Sequence, residues 1–269
     1  MFDLHIHTLH SVDSKQTIDE VCESAIQKGL QGIAICDHVD MWFSEKLNTP
    51  AAIRDCVEDV RRARAVYGDR LEILQGMEMA EYLYDPKNAD MILGLGELDV
   101  ILGSVHSVAF EEIDDSYSRI DFSSMPEEKI VRFMKKYFFH ISEMIEKTDF
   151  DVLSHLTCPL RYITGKYGFS VELGRFDGKI TEILMKILEK GIALEVNTSC
   201  MGTMGQLMPP VSVIRRYYEM GGRLVTLGSD AHRAEDGAAY FEEALEILSN
   251  IGFEKVYSFE NRRAIQMPI

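Results

Sequence analysis

The 269-residue chain is long enough for one large α/β domain or two small ones, and its apolar fraction of 46% allows a sizeable core. Its net charge of −16 disfavours a surface for long nucleic acids, which requires clustered Lys and Arg, but not a small phosphorylated substrate. No apolar run is long enough to span a membrane and no secretory signal is recognisable, while five cysteines without a C-x-x-C pair indicate reduced thiols in the cytoplasm.

Amphipathic helices alternate with apolar, β-branched runs along the chain. Helices are predicted at residues 17–28, 51–67, 126–147, 178–190, 211–220 and 238–250. After the strand at the start of the chain, strands are predicted within residues 32–38, 71–78, 98–106, 150–155, 192–197 and 223–232, with a weaker run at 255–259. This alternation favours parallel βα units, and the strand number predicts a closed or nearly closed barrel in a single domain. A doubly wound open sheet is the alternative.

Eight side chains that can bind metal lie at or just beyond the C-terminal ends of these strands. They are His5, His7, His38, Glu78, His106, His155, Asp230 and His232. In α/β barrels this end of the strands carries the active site. A single histidine at such a position is more often a capping or packing residue. Six of the eight histidines in this set, however, predict a metal site, because buried imidazoles without partners are costly.

These motifs resemble those of the PHP (polymerase and histidinol phosphatase) superfamily. The matching stretches are residues 3–8 (Asp-Leu-His-Ile-His-Thr), 36–38 (Cys-Asp-His), 76–78 (Gly-Met-Glu), 103–106 (Gly-Ser-Val-His), 154–155 (Ser-His) and 228–232 (Gly-Ser-Asp-Ala-His). The resemblance covers nearly the whole chain and implies a distorted (β/α)₇ TIM-like barrel over residues 1–269. It also implies a two- or three-metal centre that hydrolyses phosphoesters. The chain length and the long insert after His106 favour the histidinol-phosphatase branch.

The resemblance also implies how the ligands are shared between ions. The first metal is expected to take four ligands: His5, His7, Glu78 and Asp230. The second is expected to share one of them and to add two histidines: Glu78, His106 and His155. The expected ions are Zn²⁺, Mn²⁺ or Fe²⁺.

A third metal would take His38, His232 and a histidine six residues after His7. That position is Asp13 here, which departs from the family pattern. A carboxylate is a harder ligand than imidazole, so Asp13 would favour Mn²⁺ or Fe²⁺ relative to Zn²⁺. His10 is a second candidate for the missing ligand, although its position in the sequence fits the pattern less well. If neither residue binds metal, the centre holds two metals.

Phosphoester hydrolysis requires a nucleophile, neutralisation of the phosphoryl oxygens and protonation of the leaving group. Because neither a Ser or Cys nucleophile elbow nor a phosphate loop is present, direct attack by a metal hydroxide is the hypothesis. Arg161 is the first candidate for binding phosphate and Arg233 the second, with a surface salt bridge as the alternative role. Asp230 and His232 are candidates for relaying a proton, although metal binding compromises that role.

The insert at residues 107–125 is acidic, aromatic and too long for a simple connection, so it is a possible lid. Tyr117, Asp114 and Asp115 in the insert, and Trp42 in the His38 loop, are candidate pocket residues for a cationic, aromatic substrate. A solvated loop is the alternative. Asn197 is either a further pocket residue or a turn residue. His140 lies inside a predicted helix and is expected to be structural.

The expected reaction is therefore hydrolysis of L-histidinol phosphate to L-histidinol and phosphate, a step of histidine biosynthesis. The expected partner is this small substrate, without nucleic acid or membrane; the oligomeric state is open. One rival is another phosphoesterase on the same centre, acting on nucleotides or phosphotyrosine. A second rival is a non-catalytic PHP module, which the near-complete ligand set makes less favoured.

Overall fold

Parallel strands surrounded by helices make up the fold, which the computed structural model describes for residues 1–43, 49–113 and 115–269. The strands within these ranges are β1 Phe2–Ile6, β2 Gly32–Ile35, β3 His38–Asp40, β4 Glu72–Ala80, β5 Val100–Ser104, β6 Val152–Leu153, β7 Ala193–Asn197, β8 Val225–Gly228, β9 Lys255–Glu260 and β10 Arg263–Pro268. The α-helices are α1 Ile18–Gln27, α2 Pro50–Tyr67, α3 Pro86–Leu93, α4 Glu127–Lys147, α5 Pro159–Ile163, α6 Asp177–Lys190, α7 Met201–Met204, α8 Val211–Glu219 and α9 Phe241–Ile251.

The strands form a nearly closed parallel barrel in the order β1-β2-β4-β5-β6-β7-β8. The short strand β3 continues beyond β2 and pairs with the second half of β4, where His38 is opposite Glu78. Main-chain hydrogen bonds of 2.8 Å from Asp230 to His5 and of 3.0 Å from His7 to Ala231 join β8 to β1. The predicted distorted (β/α)₇ barrel is therefore confirmed, and the carboxyl ends of its strands meet around one centre.

The weak run at residues 255–259 does not become an eighth barrel strand. It forms β9, which pairs antiparallel with β10 in a separate hairpin. The turn of this hairpin contacts the residues that precede β5 and β6: Arg262 donates its main-chain N–H to Asp99 and its side chain to Asp151. Phe259 packs in the same apolar cluster as Phe2, at the start of β1. The hairpin therefore covers the amino ends of the strands, opposite the predicted site.

The long helices begin and end close to the predicted residues because local signals determine their ends. Thr17 caps α1 by accepting the N–H of Glu20, whose carboxylate accepts the N–H of Thr17 in return. The helix predicted from residue 238 begins instead at Phe241, after residues with left-handed φ at Ala238 and Tyr240. Within the described residues, no helix has both the length and the apolarity needed to cross a bilayer.

Candidate metal centre

The end of β1 supplies the first pair of ligands. Side chains two residues apart on an extended strand point the same way, and His5 and His7 are both fully buried. The Nε2 atom of His5 lies 3.3 Å from Oε2 of Glu78, and Nε2 of His7 lies 3.2 Å from Oδ1 of Asp230. Three strand ends, those of β1, β4 and β8, thus bring four potential ligand atoms together.

The second oxygen of Glu78 faces a different pair of histidines. Its Oε1 atom lies 2.8 Å from Nε2 of His155 and 3.2 Å from Nε2 of His106. The two imidazole nitrogens are 3.5 Å apart. Glu78 therefore separates two groups of donors and contacts both, which is the arrangement expected of a carboxylate that bridges two ions.

The carboxylate of Asp13 faces a third pair of histidines. Its Oδ1 atom lies 3.2 Å from Nε2 of His232 and 3.6 Å from Nε2 of His38. His10, the alternative ligand, instead pairs through Nε2 with Oδ2 of Asp59 on α2, at 2.9 Å. Of the two candidates, only Asp13 is therefore directed at His38 and His232.

The nitrogen and oxygen atoms of this cluster are suitable ligands for divalent cations. Three buried ligand atoms, Nε2 of His5, His7 and His232, have no hydrogen-bond partner among the described residues, and Nδ1 of His38 lies 2.8 Å from Oε2 of Glu78. Atoms from these side chains and from Asp230 and His155 approach within 4.8 Å of one another in groups of three. Unpaired lone pairs in a buried site are costly, and shared cations would satisfy them together.

The charges of the cluster explain its pKa shifts. Burial raises the pKa of Glu78, but the imidazoles of His106, His5 and His38 outweigh burial and hold it well below its usual range. Burial lowers the pKa of His5, but the carboxylates of Glu195 and Glu78 raise it well above its usual value. Glu78 is therefore an anion. The negative potential of the Glu78 and Glu195 carboxylates, which raises the pKa of His5, would equally stabilise a metal cation.

Polar groups behind the cluster hold the imidazole rings by their outer nitrogens. Glu195 Oε1 lies 2.6 Å from Nδ1 of His5, and Asp40 Oδ1 lies 3.1 Å from Nδ1 of His106. Ser11 Oγ lies 3.1 Å from Nδ1 of His7 and donates to Asp37. Such contacts orient the rings so that Nε2 faces the centre of the site.

A cavity of about 340 Å³ opens directly above the cluster. Its lining combines potential metal ligands with side chains from the insert and from the loop after β6: Val12, Asp13, His38, Asp40, His106, Ser116, Tyr117, Ser118, Arg119, His155, Cys158, Arg161, Tyr162, Asp230 and His232. Arg161 donates Nη2 to Oδ2 of Asp230 at 2.5 Å and also to Ser199. Burial raises the pKa of Tyr117 well above its usual value, so its phenol stays protonated and available as a donor.

A protein-family model matches most of the chain. Residues 3–199 match the PHP domain model. The chain belongs to the PHP domain family. The match confirms the resemblance inferred from the motifs.

Several curated proteins are similar to this chain over nearly its whole length. It is 28% identical over 265 residues to the probable histidinol-phosphatase of Clostridium acetobutylicum, covering 97% of this chain and 98% of that protein. It is 23% identical over 266 residues to the histidinol-phosphatase of Lactococcus lactis, covering 97% of this chain and 95% of that protein. The crystal structure of the Lactococcus lactis histidinol phosphate phosphatase, complexed with zinc, L-histidinol and phosphate, superimposes with a TM-score of 0.80 over 98% of both chains, at 22% identity. At that identity the likeness shows a shared fold.

Three predicted substrate-binding residues are not in the lining of the cavity. Arg233 borders a separate small depression next to α1, which Lys28 also lines. The ring of Trp42 packs edge-on against Tyr84, with centroids 4.4 Å apart. Asn197 is fully buried and its amide faces Glu195 and Ser199. None of the three lines the cavity in this structure, because side chains after neighbouring strands can point behind the mouth as well as into it; their contact with substrate stays a prediction.

Of the described residues of the insert, those at 116–119 alone line the cavity. Tyr117 in this segment is buried, and its hydroxyl has no hydrogen-bond partner among the described residues. Asp115 lies beside this segment and forms an ion pair with Arg119 at 3.8 Å. Asp114 lies outside the described residues. His140 lies on α4 near Tyr84, away from the cluster, as expected of a structural histidine.

Sequence reasoning missed Asp40, Glu81 and Arg119. Glu81 is buried and accepts the main-chain N–H groups of His106 and Ser107, so it holds the loop that carries His106. Acidic residues that directly follow buried strands next to a predicted ligand were a usable signal for Asp40 and Glu81. Arg119 lines the cavity from an irregular loop, and no periodic pattern marks it.

Proposed function

We propose that this PHP protein is a metal-dependent phosphomonoesterase that hydrolyses L-histidinol phosphate to L-histidinol and phosphate, a step of histidine biosynthesis. The observation that carries the proposal is the position of Glu78 between two groups of histidines, below a cavity that Arg161 lines. The histidinol-phosphatase names of full-length relatives, and the histidinol and phosphate bound by the Lactococcus lactis enzyme, support this substrate.

The proposed ligand sets follow the three groups of donors. The first ion would be held by His5, His7, Glu78 and Asp230; the second by Glu78, His106 and His155; and the third by Asp13, His38 and His232. The zinc bound by the related enzyme supports zinc as the first and second ion. Asp13 favours manganese or iron as the third ion. When bound, such ions neutralise the phosphoryl oxygens and lower the pKa of an attacking water.

Arg161 is proposed to bind the phosphoryl group of the substrate. Burial lowers the pKa of Arg161, but neighbouring groups that include Asp230 raise it well above its usual range, so it remains a cation. Burial raises the pKa of Asp230, but Arg161 and the nearby imidazoles hold it well below its usual range. Asp230 therefore acts as an anionic ligand and as an anchor for Arg161, which makes it a poor proton donor.

The leaving group is proposed to lie against the insert. Tyr117 presents a protonated phenol beside His106, with ring centroids 6.2 Å apart, and can donate a hydrogen bond to the substrate. The carboxylate of Asp40 also borders the cavity and suits a cationic amine or imidazolium. The segment at residues 116–119 would act as the lid.

A cytoplasmic location is proposed together with the biosynthetic role. All five cysteines lie within the described residues and are buried, free thiols. Thiols in this state are typical of proteins kept in a reducing compartment. The acidic surface is consistent with a small substrate as the partner and not with long nucleic acid.

The proposal is tested by comparing substrates at equal metal loading. The purified protein is depleted of metal, restored with Zn²⁺ or Mn²⁺, and assayed with L-histidinol phosphate, phosphotyrosine, a nucleoside monophosphate and p-nitrophenyl phosphate. We expect kcat/KM to be highest for L-histidinol phosphate and to depend on the added metal. A value no higher for L-histidinol phosphate than for p-nitrophenyl phosphate would refute the substrate, and no hydrolysis of any of them would refute the enzyme class.

A further inference from the structure

A chain of buried and partly buried hydrogen bonds runs from a metal-ligand candidate to the phosphate-binding candidate. It begins at Nδ1 of His5, which lies 2.6 Å from Oε1 of Glu195. Glu195 Oε2 accepts from Nδ2 of Asn197 at 3.1 Å, and Oδ1 of Asn197 accepts from Oγ of Ser199 at 2.5 Å. Ser199 in turn accepts from Nη2 of Arg161. Glu195 and Asn197 are two residues apart on β7, so their side chains lie on the same face of the strand.

Two main-chain groups determine the direction of the bonds in this chain: the N–H of Ser199, which contacts Asn197, and the N–H of His155, which donates to Oε2 of Glu195 at 2.6 Å. The N–H of Ser199 donates to Oδ1 of Asn197 at 3.1 Å, so that atom must be the amide oxygen. The amide nitrogen therefore faces Glu195, whose carboxylate can only accept. By the same reasoning His5 carries a hydrogen on Nδ1 and presents Nε2 to the metal centre.

The hydroxyl of Ser199 must accept a hydrogen bond from Arg161. A serine hydroxyl has one hydrogen, and the short contact to the Asn197 oxygen uses it. The oxygen of Ser199 is thus left as an acceptor for a guanidinium N–H. The contact of 3.5 Å from Ser199 to Asp230 is too long to compete for that hydrogen.

The two acceptors hold a single nitrogen of Arg161. Nη2 donates both to Ser199 and to Oδ2 of Asp230, which fixes the plane of the guanidinium. The Nε–H group is buried and finds no acceptor among the described residues. A buried donor without an acceptor is costly, and a phosphoryl oxygen of the substrate would remove that cost.

We propose that Ser199 is a positioning residue, which turns the guanidinium of Arg161 so that its remaining N–H groups face the phosphoryl group. Asn197 and Glu195 hold Ser199 in this role and tie it to His5. The inference rests on the proposed function, because it takes Arg161 as the group that binds phosphate. In this proposal Asn197 holds Ser199 in place and does not contact the substrate.

The test is phosphate binding by the metal-loaded protein, read separately from turnover. In Ser199→Ala we expect the Kd for inorganic phosphate, measured by calorimetry, to rise ~10-fold because a hydrogen bond to a charged group is lost. The KM for L-histidinol phosphate should rise by a similar factor, with a smaller change in kcat. Ser199→Thr retains the hydroxyl and should restore both values.

Two controls separate positioning from general damage. Metal content by elemental analysis should be the same in Ser199→Ala and the parent. Thr203→Ala, which removes an exposed hydroxyl from the adjacent helix α7, should leave phosphate binding unchanged. Phosphate affinity in Ser199→Ala within twofold of the parent at equal metal content would overturn the inference. Because the readout is phosphate binding, this failure is distinct from inactivity towards L-histidinol phosphate, which would refute the proposed function.

Discussion

Oδ1 of Asp13 lies 3.2 Å from Nε2 of His232. The same oxygen is 3.6 Å from Nε2 of His38, so a carboxylate occupies the place that the family pattern gives to a third imidazole. Burial raises the pKa of Asp13, but its hydrogen bonds with His232 and His38 lower it far below its usual value. Asp13 is therefore an anion that can replace the neutral histidine and add a negative charge to the third group of donors.

The first prediction is that Asp13→Ala lowers the number of bound divalent ions by one. The remaining histidines provide too few donors for tight binding at the third position. The count is measured by elemental analysis after dialysis against trace Mn²⁺ or Zn²⁺. His10→Gln is the matched control, because His10 pairs with Asp59 and should not affect the count. An equal count in Asp13→Ala and the parent would show that Asp13 is not a ligand.

The second prediction concerns Arg161. Arg161→Ala should lower kcat/KM for L-histidinol phosphate by ~10²-fold, because a cation that stabilises the transferring group is lost. Arg161→Lys should recover only part of the loss, since one ammonium group does not reproduce the fork of the guanidinium. Arg233→Ala is the control, because Arg233 borders a separate depression. A similar loss in both alanine variants would assign the effect to overall charge and not to contact.

The positions of the metal-ligand candidates were predictable because they follow from strand order. Apolar runs ending in histidine or acid mark strand ends, and parallel strands bring those ends together. The orientation of side chains beyond the strands was not predictable, as Arg233 and Asn197 show. Hydrogen-bond partners distant in sequence, such as Glu195 for His5, depend on barrel closure, and no local pattern encodes them. The sequence also did not predict that residues 255–268 form a hairpin, because Asn261-Arg262, the residues at its turn, are a weak turn signal.

The third prediction tests the hairpin that covers the amino ends of the strands. Nε of Arg262 donates to Oδ2 of Asp151 at 3.0 Å, and burial raises the pKa of this aspartate. Arg262→Ala should therefore lower the free energy of unfolding by about 1–3 kcal/mol, because a largely buried carboxylate loses its cation. Urea unfolding measures the change. Arg263→Ala, at an exposed neighbouring position, should change it by less than about 0.5 kcal/mol, and equal effects would exclude a specific role for Arg262.

The fourth prediction is a pH dependence of stability due to His140. Burial lowers its pKa to about 4, with a further decrease from Lys136 and an opposing increase from Glu143. The unfolded chain has a histidine pKa of about 6.5, so it binds more protons than the folded protein below that pH. The free energy of unfolding should therefore fall by about 1–3 kcal/mol as the pH drops from about 6.5 to 4.

The variant His140→Gln isolates this contribution. It should unfold with a smaller decrease in free energy between pH 7.5 and pH 5 than the parent, because its side chain does not titrate. Both proteins are unfolded in urea at the same metal concentration, so that acid release of metal affects them equally. Identical pH dependence in the two proteins would mean that His140 is protonated as readily in the folded state as in the unfolded chain.

The fifth prediction concerns Gly228, at the end of β8. A Cβ atom there would lie 2.2 Å from Oε1 of Glu195 and 2.8 Å from Cβ of His5. Glu195 is buried and bonded on both oxygens, so it can move only by releasing His5. Gly228→Ala should therefore weaken Zn²⁺ binding by about 10- to 100-fold, as loss of a group that orients a ligand does.

A second glycine provides the matched control for this substitution. Apart from its own helix and chain neighbours, no described residue lies within 4 Å of where a Cβ on Gly178 would be, in the first turn of α6. Gly178→Ala should therefore leave Zn²⁺ affinity unchanged and stabilise the fold by about 0.5–1 kcal/mol. Affinity is measured by competition with a chromophoric chelator, and stability by urea unfolding. Gly228→Ala with parental Zn²⁺ affinity would mean that His5 keeps its orientation without Glu195, and that the contact behind the ring does not control metal binding.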